Sequence, residues 1–539
     1  MATTTPRAAN QPPPLERYDL YGENRPLVEA VAREGAYLAD GELRLFGELL
    51  GGEPLELGRL ANLHAPTLRT HDRFGNRIDE VEFHPAWHDL LQLGVRHGLH
   101  SSPWRDTRPG AHVARAAAFV TFAQVEAGVG CPLSMTFAAV PALRAEKDVA
   151  AEWEPLLTSN EYEPELRAAG SKRGALCGMA MTERQGGSDV RVNEMSAEPV
   201  SEREALLTGD KWFCSAPMCD AFLVLAQAPR GLTCYLLPRV LPDGERNAFR
   251  IERLKDKLGN RSNASAEITL DRAWARRIGE EGRGVATIIE MVVHTRLDCV
   301  LGSTGLMRRA VAEATHHAAH RWAFGAPLVE QPLMQNVLAD LCLDSEAATA
   351  LSLRLARAYD EEDAPFRRLA TAIAKYWVCK ATPPLVAEAL ECLGGNGYVE
   401  ESVLPRLHRE SPLNSIWEGA GNVQALDVLR ALERQPASLE AVLAEMDLAA
   451  GADARLDAAV ADLRSELTDA GEAELRARRL VERLALCLQG SLLVRHAPAE
   501  IADAFCATRL AHDGGRAYGT LPRGLELAAI VERHRPRAS

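Results

Sequence analysis

The hydrophobic period changes twice along the chain, and this limits the fold more than any other feature. From about residue 25 to 170, apolar residues recur at three- and four-residue spacing, as at Leu27, Val31, Tyr37 and Leu38, the mark of amphipathic helices. Between 175 and 284 they fall in short alternating or apolar runs: GALCGMAM, ALLTGDKWF, AFLVLAQA, LTCYLLP, AFRIERL and ASAEITL. Turn residues such as Thr208-Gly209-Asp210 and Pro242-Asp243-Gly244 separate these runs, which read as strands. After Gly284 the helical period returns in long segments, with a stripe at Leu333, Val337, Leu341, Ala348, Leu351 and Leu355. Gly394 to Gly397 ends one helix, and another begins near Asn422. The spacing predicts a mainly α chain with a central β domain. Its expected parts are an N-terminal extension and helical domain (1–174), a β domain (175–284), a helical bundle (285–436) and a C-terminal helical domain (437–539).

A chain of 539 residues with 47 % hydrophobic and 25 % charged residues is a folded multidomain protein rather than a disordered one. Its net charge of −14 argues against a surface that coats nucleic acid everywhere, while leaving room for a local basic patch. One is visible. Residues 431–470 hold three Arg against nine acidic residues, and 471–539 hold eleven Arg against eight. Arg476, Arg478, Arg479 and Arg483 would form a basic face on one helix or simply a solvated one, and Arg533, Arg535 and Arg537 read as a mobile tail. The eleven Cys show no C-x-x-C and no metal-ligand spacing with His, so they are expected as buried thiols, with no metal site. MATTTPRAANQPPP lacks the apolar core of a signal peptide and reads as a flexible tail. The longest uncharged run, 127–143, is too short to span a bilayer, so a cytoplasmic chain with no membrane partner is expected.

Five motifs carry chemistry. MTERQGGSD (181–189) follows a strand with a glycine turn that would expose N–H groups and hydroxyls to a planar or phosphate-bearing ligand, or serve only as a turn. KWFCS (211–215) sits on a second strand, where Trp212 and Phe213 would ordinarily be core. RWAFG (321–325) is placed in the first long bundle helix, where Arg321 would meet a pyrophosphate, or be simply a partly buried Arg with an aromatic neighbour. LGGNGY (393–398) gives a glycine-lined helix end. SIWEG (415–419) sets Glu418 beside apolar surface, which raises a carboxyl pKa and suits a base for a carbon acid; an acid near a helix N-terminus is the plainer alternative.

In this order, TE-x-x-GGSDV, R-x-x-FG, GGNGY and WEG-x-G-N resemble the flavin-dependent acyl-CoA dehydrogenase superfamily over residues 60–432. The runs MTERQGGSDV, GDKWFCS, KLGNRSNAS, RWAFGAPLVEQPLMQ, LGGNGYVEES and IWEGAGNVQALDVLRAL, a YDLY segment at Tyr18–Tyr21 and the C-terminal extension resemble its AidB branch. The resemblance implies FAD held by Met181, Thr182, Gly187, Ser188, Phe213 and Ser215. Arg321, Phe324, Gly394 and Gly395 would reach the FAD of a neighbouring subunit in a homotetramer, with Trp417, Gly419 and Asn422 closing the pocket. It further implies Glu418 as catalytic base with Arg296 nearby. Trp417 in place of a usual Tyr, Ala420 in place of Thr and Pro332 in place of Gln imply slow thioester turnover. The leading expectation is therefore an FAD protein that binds double-stranded DNA without sequence preference, protects against alkylation damage and retains weak acyl-CoA dehydrogenase activity. Its DNA contacts would be Arg430, Arg476, Arg478, Arg479, Arg483, Arg516 and Arg523. The alternative is a metabolic dehydrogenase of short or branched acyl thioesters.

Overall fold

The computed structural model describes residues 10–469 and 471–537, so residues 1–9 of the expected tail lie outside it. The chain forms two compact units, one of residues 53–302 with 417–420, the other of residues up to 52, 303–416 and from 421 onward. The division falls inside the helix Gly284–His320.

The first unit joins helices to the central β domain. Helix Gly130–Leu143 lies within the 127–143 run; it is buried along nearly its whole length and carries Pro141 in its last turn. One hairpin interrupts the expected helical region: β1 (Thr67–His71) pairs antiparallel with β2 (Arg77–Glu82). Its turn is built by Asp72, whose carboxylate accepts the N–H groups of Phe74 and Asn76, and by Gly75 at φ +86°. The β domain consists of β3 (Cys177–Ala180), β4 (Ser196–Pro199), β5 (Glu204–Ser215), β6 (Ala221–Ala228), β7 (Gly231–Pro238), β8 (Phe249–Leu254) and β9 (Ser265–Ile278). The strand order is β3-β6-β4-β5-β9-β7, with β8 on β9, and a β6–β7 pairing closes the path on itself. Thr208-Gly209-Asp210, expected as a turn, lies within β5, where the register shifts between Leu207 and Thr208 and Gly209 adopts φ +145°. Inside this unit Arg115 makes a buried two-pronged ion pair with Asp298 (2.5 and 2.7 Å), joining helix Ala111–Ala123 to Gly284–His320.

In the second unit, helices Pro332–Asp360 and Ala364–Cys392 are the apolar centre. The stripe is buried from Leu341 to Leu355, but Leu333 is 83 % exposed in the first turn. Leu27 and Val31 are buried as their spacing predicts, while Tyr37 and Leu38 face solvent. Helices Pro436–Asp447, Ala454–Thr468, Ala473–His496 and Leu527–His534 belong to this same unit. Buried charge ties them in: Glu445 accepts from Arg354 (2.9 Å) and Arg495 (2.5 Å). The expected mobile arginine tail is instead fixed. Arg533 pairs with Glu346 and Glu29, and Arg535 and Arg537 both meet Glu532. The described start of the expected N-terminal tail is fixed too. The Asn10 side-chain amide donates to Trp322 O (2.8 Å) and accepts from Trp322 N–H (2.7 Å), and the Pro13 carbonyl lies 2.9 Å from His316 Nε2. All eleven cysteines are buried thiols. Among the described residues no helix is long and apolar enough to cross a membrane.

Candidate active site

The glycine turn after β3 is anchored from beneath. Glu183 is buried and accepts from the Lys211 ammonium (2.7 Å) and the Glu194 N–H (2.5 Å), and Lys211 also donates to Leu225 O (2.9 Å). Burial pushes the Lys211 ammonium below its ordinary pKa, with Glu183 opposing that shift. Trp212 N–H donates to Thr182 O (2.8 Å) and Asn193 Nδ2 to Met181 O (3.0 Å), so β5 and the turn are held in one register. Above this anchor Met181 and Thr182 are half-buried, while Gly187 and Ser188 are exposed. A Cβ at Gly187 would stand 2.4 Å from Thr182 Oγ1, so a larger residue there would displace the Thr182 side chain. Trp212 and Phe213 are not core. Phe213 is 48 % exposed, and the Lys255 ammonium lies 3.6 Å from the Trp212 ring centre and 4.6 Å from that of Phe213. Ser215 Oγ is 3.5 Å from Ser265 Oγ. An exposed aromatic face on one strand beside a glycine turn with open hydroxyls suits a planar, phosphate-bearing group, so these residues fit a flavin.

Glu418 lies in the same unit. It is a non-glycine residue at φ +57°, followed by Gly419 at φ +99°. Two consecutive residues of Gly284–His320 hold it: Thr295 Oγ1 donates to the Glu418 carboxylate (2.8 Å), and Arg296 Nε donates to the Glu418 carbonyl (3.0 Å). Arg296 thus fixes the backbone of the candidate base. The Thr295 hydroxyl also lies 3.1 Å from Val292 O, which gives it a second acceptor. It can donate to an ionised Glu418, or accept from a protonated one while donating to Val292. Sequence reading assigned no role to Thr295, Glu183 or Lys211. Only the TE and GDK segments within otherwise singled-out motifs pointed toward the last two.

In the other unit, the segment Arg321 to Gly325 is not helical. Gly284–His320 ends at His320, and a short hairpin of β10 (Trp322–Ala323) and β11 (Ala326–Pro327) follows. Phe324, at φ +53° on its tip, is 97 % exposed, and Arg321 donates to Asn10 O (2.5 Å). Gly394 has φ +58°, and a Cβ there or at Gly395 would meet nothing within 4 Å. Trp417 is half-buried in the first unit, and Asn422 lies in the opening turn of Gly421–Arg434.

The arginines assigned to DNA do not form one face. Arg476, Arg479 and Arg483 all approach Glu466, at 3.9, 3.7 and 2.6 Å. Arg478 turns away and donates to Asn422 Oδ1 (2.7 Å). Arg430, Arg516 and Arg523 are exposed.

Three family models match the chain: the adaptive response protein AidB N-terminal domain over residues 10–164, the acyl-CoA dehydrogenase middle domain over 178–273 and the acyl-CoA dehydrogenase C-terminal domain over 282–433. A putative acyl-CoA dehydrogenase AidB of Escherichia coli is 47 % identical over 94 % of both chains. The crystal structure of Caenorhabditis elegans ACDH-11 in complex with C11-CoA superposes with a TM-score of 0.85 at 27 % identity, covering 94 % of this chain and 93 % of that one. Butyryl-CoA dehydrogenase of Megasphaera elsdenii shares the fold at 22 % identity and a TM-score of 0.59, over 76 % of this chain and 98 % of that one. The chain therefore belongs to the acyl-CoA dehydrogenase family of FAD-dependent oxidoreductases, in its AidB branch.

Proposed function

We propose that this protein binds FAD and dehydrogenates an acyl-CoA thioester between its α and β carbons, with Glu418 as the base. The observation that carries this reading is the Glu418 carboxylate, pinned at 2.8 Å by the Thr295 hydroxyl on a backbone held by Arg296. Glu418 takes the proton from the carbon α to the thioester carbonyl, and Thr295 keeps the receiving oxygen oriented before and after the transfer. The flavin, when bound, supplies the acceptor for the hydride that leaves the β carbon. Met181, Thr182, Gly187, Ser188, Phe213 and Ser215 hold and orient it, and Trp417, Gly419 and Asn422 close that site and narrow it. Arg321, Phe324, Gly394 and Gly395 serve the flavin of a second copy in a cytoplasmic homotetramer; the almost fully exposed Phe324 is the kind of side chain such a contact covers.

An anaerobic titration with acyl-CoA thioesters, isovaleryl-CoA included, tests this through the flavin absorption band. Bleaching by a stoichiometric thioester is expected, lost in Glu418→Gln with FAD still bound. Unchanged reduction in that variant refutes the assigned base.

A second reading, binding of double-stranded DNA in protection against alkylation damage, draws on the exposed Arg430, Arg516 and Arg523. Phosphate contacts of this kind give an affinity that falls steeply with salt and is indifferent to sequence.

A further inference from the structure

On helix Ala473–His496 the three arginines that approach Glu466 are spaced by three and four residues, which puts them on one face. Arg478 lies about 200° around the axis from Arg476 and faces the start of Gly421–Arg434. There it meets a second cation. A Cβ at Gly421 would stand 3.2 Å from Lys380 Cε and 3.5 Å from both Arg478 Nη2 and the ring of Tyr376. Among the described residues neither Lys380 nor Arg478 has an ion-pair partner, in contrast to the acid-bound Arg476, Arg479 and Arg483. Two like charges brought to one glycine without a carboxylate between them favour a bound anion. The hydrogen bond from Arg478 also decides the direction of the Asn422 amide: Oδ1 accepts, so both Nδ2 hydrogens are left for another acceptor. Ammonium, guanidinium and amide N–H form an all-donor set, which matches phosphate oxygens.

We infer that Arg478 and Lys380, with Asn422, form a phosphate subsite for the diphosphate of the dinucleotide cofactor. This brings in a residue beyond the matched dehydrogenase segment, which ends at 433. The inference rests on the FAD reading for Asn422, and it takes Arg478 out of the DNA-facing set.

The test is FAD release from diluted holoprotein, followed by the rise in flavin fluorescence, with ADP and adenosine as competitors of rebinding. Arg478→Ala and Lys380→Met should weaken FAD and ADP tenfold or more, about 1.4 kcal/mol, and leave adenosine within twofold of wild type. Arg478→Lys should recover part of the loss. Arg479→Ala, whose side chain is 73 % exposed on the other face, should match wild type. FAD and ADP affinities within twofold of wild type in Arg478→Ala overturn the inference, as does a loss of DNA affinity in that variant with FAD unaffected. Should the wild-type protein take up no FAD, the flavin reading fails separately, and ADP decides the subsite by calorimetry. Binding that depends on Arg478 sustains it; no binding overturns it.

Discussion

Replacing Thr295 by Val keeps the shape of the side chain and removes the hydroxyl that donates to the Glu418 carboxylate at 2.8 Å. A hydrogen bond to a charged acceptor is worth roughly 1.5–3 kcal/mol and a neutral one about 0.5–1.5. Because the Thr295 hydroxyl can turn to Val292 O and accept from a protonated Glu418, the substitution costs both protonation states. The ionised form loses more, by ~1 kcal/mol, which moves the acidic limb of the reduction profile upward by just under one pH unit. The sign follows from the donor, which favours the charged base: without it, a higher pH is needed to ionise the same fraction of Glu418. Stopped-flow reduction by a thioester across pH reads this directly. On the limb the variant should reduce several-fold more slowly at a given pH, approaching the wild-type rate on the plateau, and Thr295→Ser should restore the wild-type limb. A Thr295→Val protein with full FAD content and an unmoved limb refutes the idea that this hydroxyl tunes the base.

Lys211→Met should leave the buried Glu183 carboxylate uncompensated at a cost of roughly 3–5 kcal/mol, lowering Tm and releasing flavin from the turn above it; a Tm within a degree or two of wild type contradicts the anchoring role. His100 is fully buried, and burial pushes its ring pKa down to about 4, against an ordinary value of 6.5. The unfolded chain binds that proton first, so stability should be full above pH 6.5 and fall as pH drops toward 4, by up to ~3 kcal/mol. Denaturant unfolding of His100→Gln should show a flatter profile over that window, and an identical profile rejects the assignment. For the DNA reading, Ala at Arg430, Arg516 and Arg523 together should flatten the dependence of log affinity on log salt; an unchanged slope on duplex DNA excludes those side chains from the contact.

Order of motifs and change of period were enough to read the family and the arrangement of helices around a β domain, because both are properties of the chain taken one residue after another. What escaped depends on neighbours distant in sequence. A Lys on β5 is ordinary until Glu183, 28 residues earlier, is folded beneath it. Thr295 is one hydroxyl among many in a 37-residue helix until the backbone brings Glu418 to it from 123 residues away. The arginine run misled for a related reason. Composition places Arg476, Arg478, Arg479 and Arg483 in one basic cluster, but 100° per residue sends Arg478 to a different side from the rest, and one glutamate, Glu466, meets the other three. The RWAFG segment misled through continuity: its residues extend a strong helical pattern, yet positive φ at Phe324 and Gly325 builds a hairpin tip that no amphipathic period foretells. A cofactor site assembled from turns and helix ends is therefore legible in its glycines and aromatics, whose local geometry is unusual. It is nearly silent in the charged pairs that hold those turns in place, since a charge shows its role only through the partner it faces.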